Sequence, residues 1–126
     1  MRLLLDTHVL LWGIAGDRRL PAATERMIRS EDNDSFISVA SLWEIAIKTR
    51  QGKLVAPDDL PERLESDPDF TILAATVEHV WRVRGLPLIH SDPFDRLLVA
   101  QAMAEGMTLV THDRRLAEYG GAVALV

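Results

Sequence analysis

Four acidic side chains stand where this sequence could do chemistry: Asp6, Glu44, Asp95 and Asp113. Asp6 directly follows the apolar run Arg2 to Leu5, Glu44 falls on the first turns after Ser35 to Val39, and Asp113 stands three residues past Val110. Asp95 lies on the first turn of the segment opened by Asp92-Pro93. Short apolar runs read as buried strands, and parallel sheets bind ligands at the carboxyl ends of their strands. The four carboxylates, from four distant segments, are therefore expected to meet at one end of a sheet. Oxygen donors gathered in this way suit a hard cation, Mg²⁺ or Mn²⁺. Such a cation activates water and stabilises the charge that develops on a phosphate.

Each acid also has an ordinary structural reading as a helix cap. Asp6 and Asp113 fit N-caps. Ser41-Leu42-Trp43-Glu44 fits a capping box, and Asp92-Pro93-Phe94-Asp95 resembles one with proline at the first helical position. Two features favour a cation. Glu44 is embedded in Ala40, Leu42, Trp43, Ile45, Ala46 and Ile47, and a buried, unpaired carboxylate costs several kcal/mol or shifts its pKa until it is neutral. Converging acids also repel one another unless something positive sits between them.

Other residues carry weaker signals. His8 and His112 each lie near a candidate acid, but no histidine pair has zinc spacing, and both read as structural or solvent-facing. His90 precedes the Asp92 turn and could approach the site. Lys48, Arg50 and Lys53 crowd one helix end, where basic residues complement the helix dipole; RNA contact is the alternative. Trp12, Trp43 and Trp81 fall on apolar helical faces and are expected in the core. The sequence has no Gly-rich phosphate loop and no G-x-S-x-G elbow.

The elements that must position the acids follow from the apolar pattern. Strands are expected at Arg2 to Leu5, Ser35 to Val39, Phe70 to Leu73, Thr108 to Val110 and Ala122 to Leu125. Helices are expected at Thr7 to Ala15, Pro21 to Ser30, Ala40 to Gly52, Pro57 to Ser66, Val77 to Arg84, Asp92 to Glu105 and Arg114 to Tyr119. The Ala40 helix is apolar nearly all round and reads as buried, whereas the Pro57 helix reads as polar and exposed. Short strands alternating with helices imply a parallel sheet covered on both faces, with right-handed crossovers.

The bulk numbers bound the class. The chain has 126 residues, 48% hydrophobic and 26% charged, the size and make-up of one globular domain spanning 1–126. It has no cysteine, which excludes disulfides, zinc–thiolate sites and a cysteine nucleophile. No run approaches the roughly 18 apolar residues of a membrane span, and Leu3-Leu4-Leu5 is too short for a signal-peptide core; a cytoplasmic protein is expected. The net charge of −5 argues against broad, non-specific nucleic-acid binding. It leaves room for a nuclease whose acids are neutralised by divalent ions.

Four segments carry a resemblance: Leu5-Asp6-Thr7-His8-Val9-Leu10, Ser38-Val39-Ala40-Ser41-Leu42-Trp43-Glu44-Ile45, His90-Ser91-Asp92-Pro93-Phe94-Asp95-Arg96-Leu97-Leu98 and Leu109-Val110-Thr111-His112-Asp113. In this order they resemble PIN-domain proteins, and most of all the VapC-type toxins of prokaryotic toxin–antitoxin pairs. The resemblance implies a three-layer α/β/α fold with a central, mainly parallel five-stranded sheet. It also implies Mg²⁺- or Mn²⁺-dependent endoribonuclease activity, a homodimer, and neutralisation by a cognate antitoxin. Carried over position by position, Asp6, Glu44, Asp95 and Asp113 become the catalytic, metal-binding acids. Thr7, Asp92, Arg96 and Thr111 become supporting residues.

Alternatives remain. A phosphotransferase or phosphatase of the haloacid-dehalogenase kind also begins with strand-Asp, but needs a second Asp where this chain has His8. A response-regulator-like module needs a phospho-acceptor Asp ending the third strand and a late Lys, and no Lys follows Lys53. A catalytically silent PIN domain that only binds a partner is the third. For the antitoxin, the helices Thr7 to Ala15 and Pro21 to Ser30 carry Leu10, Leu11, Trp12, Ile14, Leu20, Met27 and Ile28. Part of that surface could form a groove for an amphipathic helix whose Arg or Lys reaches the acids; core or a homodimer contact is the other reading.

Overall fold

Successive side chains of a strand point to opposite faces, and the central strand uses this fully: Leu3 and Leu5 pack on one side, Leu4 on the other, all buried. The computed structural model describes residues 1–126. The strands β1 (Arg2–Leu5), β2 (Asp34–Ser38), β3 (Phe70–Leu73), β4 (Thr108–Thr111) and β5 (Val123–Leu125) form one sheet in the order β3-β2-β1-β4-β5. Every pairing is parallel, with Leu4 opposite Phe36 on one side and Leu109 on the other. The helices are α1 (Thr7–Ala15), α2 (Ala22–Arg29), α3 (Val39–Arg50), α4 (Leu60–Ser66), α5 (Val77–Arg82), α6 (Pro93–Glu105) and α7 (Arg114–Ala117).

Two apolar clusters flank the sheet and make it the middle of three layers. On one face Leu3, Leu5, Ile37 and Val110 meet Val9 and Leu10 of α1, Ile28 of α2 and Leu60 and Leu64 of α4. On the other, Leu4 and Leu109 meet Leu98, Val99 and Ala102 of α6, Leu116 of α7 and Tyr119. α3 contributes Ile45 to the first cluster and Ala40 to the second. No helix is long and apolar enough to cross a membrane.

Most expected elements are present with ends moved by a residue or two, and several assignments need correction. Pro21 is the N-cap of α2 rather than its first residue. The Val77 helix tightens into a 3₁₀ turn at Val83–Gly85. α3 is not buried all round: its inner face is Ala40, Ser41, Glu44 and Ile45, while Trp43 is 59% exposed. Trp81 is also exposed. Neither is core: Trp43 leans edge-on against Phe94 of α6, and Trp81 lies beneath the Arg84 guanidinium. The Pro57 helix begins only at Leu60, and it buries Leu60 and Leu64. Leu10, Leu20 and Ile28, read as candidates for an open groove, are core; Leu11, Trp12, Ile14 and Met27 are partly buried against them.

The second layer is tied to the sheet by a buried polar network. Gln101 of α6 accepts a hydrogen bond from Ser38 Oγ (2.5 Å) and donates to the Ala74 carbonyl (3.3 Å). Beside it the buried His79 completes a capping box with Thr76, and its Nε2 lies 2.7 Å from Glu105. Replacing Gln101 with Leu keeps the volume but removes the partners of Ser38 and Ala74. Urea unfolding should report a loss of about 1–3 kcal/mol, the usual cost of leaving a buried polar group such as the Ser38 hydroxyl without its partner.

Candidate active site

Asp6 is the first residue after β1, at the centre of the sheet, and every other acid of the site comes to it. Its backbone N–H continues the sheet by donating to Val110 (3.0 Å), and its carbonyl accepts from Leu10 in the first turn of α1. Its side chain makes no cap hydrogen bond to α1. Instead Oδ2 accepts from the Thr111 hydroxyl (2.7 Å), which in turn accepts from the backbone N–H of Asp113. One threonine at the end of β4 thus links the first acid to the last.

Glu44 is likewise no cap, because the N-cap of α3 is Ser38 and the box expected from Ser41 does not form. It sits on the second turn, 3% exposed, and accepts from the Thr7 hydroxyl at Oε1 (2.7 Å). The Ser41 hydroxyl lies 3.0 Å from the same Thr7 oxygen. Lys48, one turn along α3, reaches back to Glu44 Oε2 (2.5 Å). Glu44 is therefore paired within the protein, and Lys48, read from the sequence as part of a solvated helix end, belongs to the site. Its signal was the i,i+4 spacing from Glu44.

The last two helices present their acids differently. Asp92 caps α6 with Oδ1, accepting from the N–H groups of Phe94 and Asp95. Asp95 accepts no hydrogen bond from the protein; its nearest partner is His90 Nε2 at 3.5 Å. Asp113 caps α7 through Oδ1 and receives His90 Nε2 at Oδ2 (2.9 Å). Arg96 points elsewhere: its guanidinium contacts the carbonyls of Val83, Leu86, Pro87 and His90, the nearest at 3.1 Å.

Asp6, Glu44, Asp92, Asp95 and Asp113 line one cavity of about 280 Å³, together with His8, Trp12, Lys48 and His112. The four acids of the sequence reading are together, as are Asp92 and, behind the wall, Thr7 and Thr111. Five carboxylates face one lysine, and the ionisation of three of them is displaced. Burial, then the charges of Asp6, Asp92, Glu44 and Asp113, push Asp95 up to about 8. Burial also raises Asp6, against the hydroxyl of Thr111. Burial would raise Asp113 too, but the His90 and Arg115 donors outweigh it and hold the group below its ordinary value. Hard oxygens, unpaired at Asp95 and only half-paired at Asp6, form a donor set that fits a divalent cation. Such an ion would relieve the repulsion that the protein leaves standing.

A family model of the PIN domain matches residues 3–122. The chain is 32% identical over 125 residues to Ribonuclease VapC22 of Mycobacterium tuberculosis, covering 90% of this chain and 88% of that protein. In fold it resembles a chain of a toxin–antitoxin complex from Klebsiella pneumoniae, with a TM-score of 0.67, 18% identity, and 97% and 95% of the two chains covered. It also resembles a chain of VapBC2 from Rickettsia felis bound to a DNA fragment from their promoter, with a TM-score of 0.69, 17% identity, and 100% and 98% covered.

The Asp95 shift has a measurable consequence in metal-free protein. The unfolded side chain ionises near its ordinary 3.8 and the folded one near 8. Between those values the folded protein keeps a proton that the unfolded chain has lost, so stability falls as pH rises through the window. Asp95→Asn should flatten this fall. Urea unfolding in chelator should show the variant more stable than the parent by at least ~1 kcal/mol at about pH 8, with the gap closing towards about pH 5.

Proposed function

The chain belongs to the PIN domain family, and we propose that it is a Mg²⁺- or Mn²⁺-dependent endoribonuclease of the VapC toxin type, cleaving RNA phosphodiester bonds. The observation that carries this reading is the cavity at the end of the sheet, where acids from four distant segments converge with a single lysine among them. The ribonuclease name of the 32% identical relative supports the reaction class.

Asp6, Glu44, Asp95 and Asp113 would hold the cation, with Asp92 at the rim. When bound, Mg²⁺ or Mn²⁺ supplies an activated water and charge neutralisation for the phosphate under attack. The protein's own residues prepare the place. Thr111 orients the Asp6 carboxylate and Thr7 that of Glu44, each through a 2.7 Å hydrogen bond. Lys48 pairs with Glu44 Oε2 and adds a positive charge to the wall of the cavity. Arg96 acts at one remove, bracing the loop from Val83 to His90. Arg115, in the adjoining cavity of about 440 Å³ with His90 and Arg96, is suited to an RNA phosphate flanking the scissile one.

An RNA-cleaving toxin needs restraint, and both fold neighbours above are chains of toxin–antitoxin assemblies. The partner proposed here is a cognate antitoxin, and the working location the cytoplasm. The apolar groove of about 230 Å³ between α3 and α4, lined by Leu42, Ile45, Ala46, Ala56 and Leu60, suits an amphipathic antitoxin segment. The exposed Val39 and Trp43 of α3 and Val77, Val80 and Trp81 of α5 support a homodimer.

Purified protein incubated with a pool of structured and unstructured RNAs should generate new ends only with Mg²⁺ or Mn²⁺ present, and sequencing those ends reads the specificity. Asp6→Asn and Asp95→Asn should each lower the rate by about 100-fold or more. Asp95→Asn should do so while stabilising the metal-free fold. Full activity in both variants, or cleavage unaffected by chelator, would sink the assignment.

A further inference from the structure

One buried imidazole beside the acids has every polar atom committed. His90 is 7% exposed. Its backbone N–H donates to the Tyr119 hydroxyl (3.1 Å), and that hydroxyl donates onward to the Pro87 carbonyl (3.0 Å). Its carbonyl accepts from Arg96 (3.4 Å). The backbone N–H of Asp92 lies 3.1 Å from Nδ1. A backbone amide can only donate, so Nδ1 must be the acceptor, without a proton. A neutral imidazole then carries its proton on Nε2, the atom 2.9 Å from Asp113 Oδ2 and 3.5 Å from Asp95 Oδ2.

The geometry points to His90 as a positioning residue of the acidic site: an imidazole locked with its proton on Nε2, which aims the Asp113 carboxylate and does not itself bind the cation. This rests on reading the cavity as a metal site.

By distance alone the opposite is attractive, since ligand atoms of His90, Asp95 and Asp113 lie within 4.8 Å of one another. Ligation through Nε2 would, however, require the proton to sit on Nδ1. Two N–H groups would then face each other across 3.1 Å, and the Asp92 amide would lose its acceptor. The hydrogen bond at one ring nitrogen thus decides what the other can do. The same amide belongs to the residue that caps α6, so the tautomer is set by the backbone that starts the helix of Asp95. A fixed N–H donor is what a ligating carboxylate requires to hold one orientation against its like-charged neighbours.

Mn²⁺ binding by calorimetry to the parent protein, His90→Gln and His90→Phe tests this, with the melting temperature of each metal-free variant as a check on folding. Gln keeps an N–H donor near the position of Nε2, whereas Phe fills the space with none. His90→Phe should weaken Mn²⁺ binding by about 10- to 100-fold and His90→Gln by no more than about threefold, the pattern of a group that orients a ligand. Equal loss in both variants would make His90 a ligand, and no loss in Phe would leave it without a part in the site. Should His90→Phe fail to fold, nitrogen-15 spectra of the parent imidazole decide: the proton should stay on Nε2 before and after saturation with Mg²⁺, and its loss on Mg²⁺ addition overturns the proposal. A parent protein that binds no Mn²⁺ overturns the metal-site reading itself, whereas parent binding with the wrong variant pattern overturns only the role of His90.

Discussion

Repulsion among Asp6, Glu44, Asp92, Asp95 and Asp113 is the constraint to which the rest of the molecule answers. These groups share one cavity, and a carboxylate held there is costly unless a positive charge or a donor meets it. The protein meets some of them and leaves others. Glu44 has Lys48 and Thr7, Asp113 has His90 and the α7 backbone, and Asp6 has one threonine. Asp95 has no donor, and burial together with its acidic neighbours pushes it up to about 8. The uncompensated charge is concentrated at Asp95 and, in part, at Asp6 rather than spread over all five.

The sheet makes that concentration possible. β1 is the middle strand of five, so the end of β1 is flanked by the ends of β2 and β4. Residues just after those strands are brought close without any loop having to reach. Rigid parallel pairing on both sides of β1, and two apolar clusters pressed on its faces, hold Asp6 where its neighbours repel it. The helices α1, α6 and α7 also begin at this edge, and the positive ends of their backbone dipoles oppose part of the acidic charge.

The strands and the convergence of the acids were legible because both depend on local pattern: apolar runs of three to five residues, three of them with an acid soon after, and a helix opened by Asp92-Pro93 that carries Asp95 on its first turn. What was not legible depends on contacts across the chain. Glu44 looked unpaired because its flanking residues are apolar, yet Lys48 is one helical turn away and Thr7 arrives from another element. Trp43 looked like core because tryptophan is apolar, but the inner face of α3 is occupied by small and polar residues that contact α1 and α6, which turns the indole outward. His90 was signalled only by its place just before the Asp92 turn. Its importance lies in an amide two residues on and a carboxylate 23 residues away.

Capping and cation binding looked like rival explanations of the acids, yet capping engages single oxygens rather than whole residues. Asp6 and Glu44 cap nothing. Asp92 and Asp113 do cap, but each does so with Oδ1, while the other oxygen of Asp113 is turned to His90. A carboxylate has two oxygens, so one can satisfy a helix N-terminus while the other is offered to a ligand. The coincidence has a geometric cause. In a parallel α/β fold the chain leaves each strand at the carboxyl edge and must soon begin a helix, so the residues favoured as caps are delivered to the edge where ligands bind. Capping fixes the side chain's direction in advance, which lowers the entropy a cation must overcome to gather its donors.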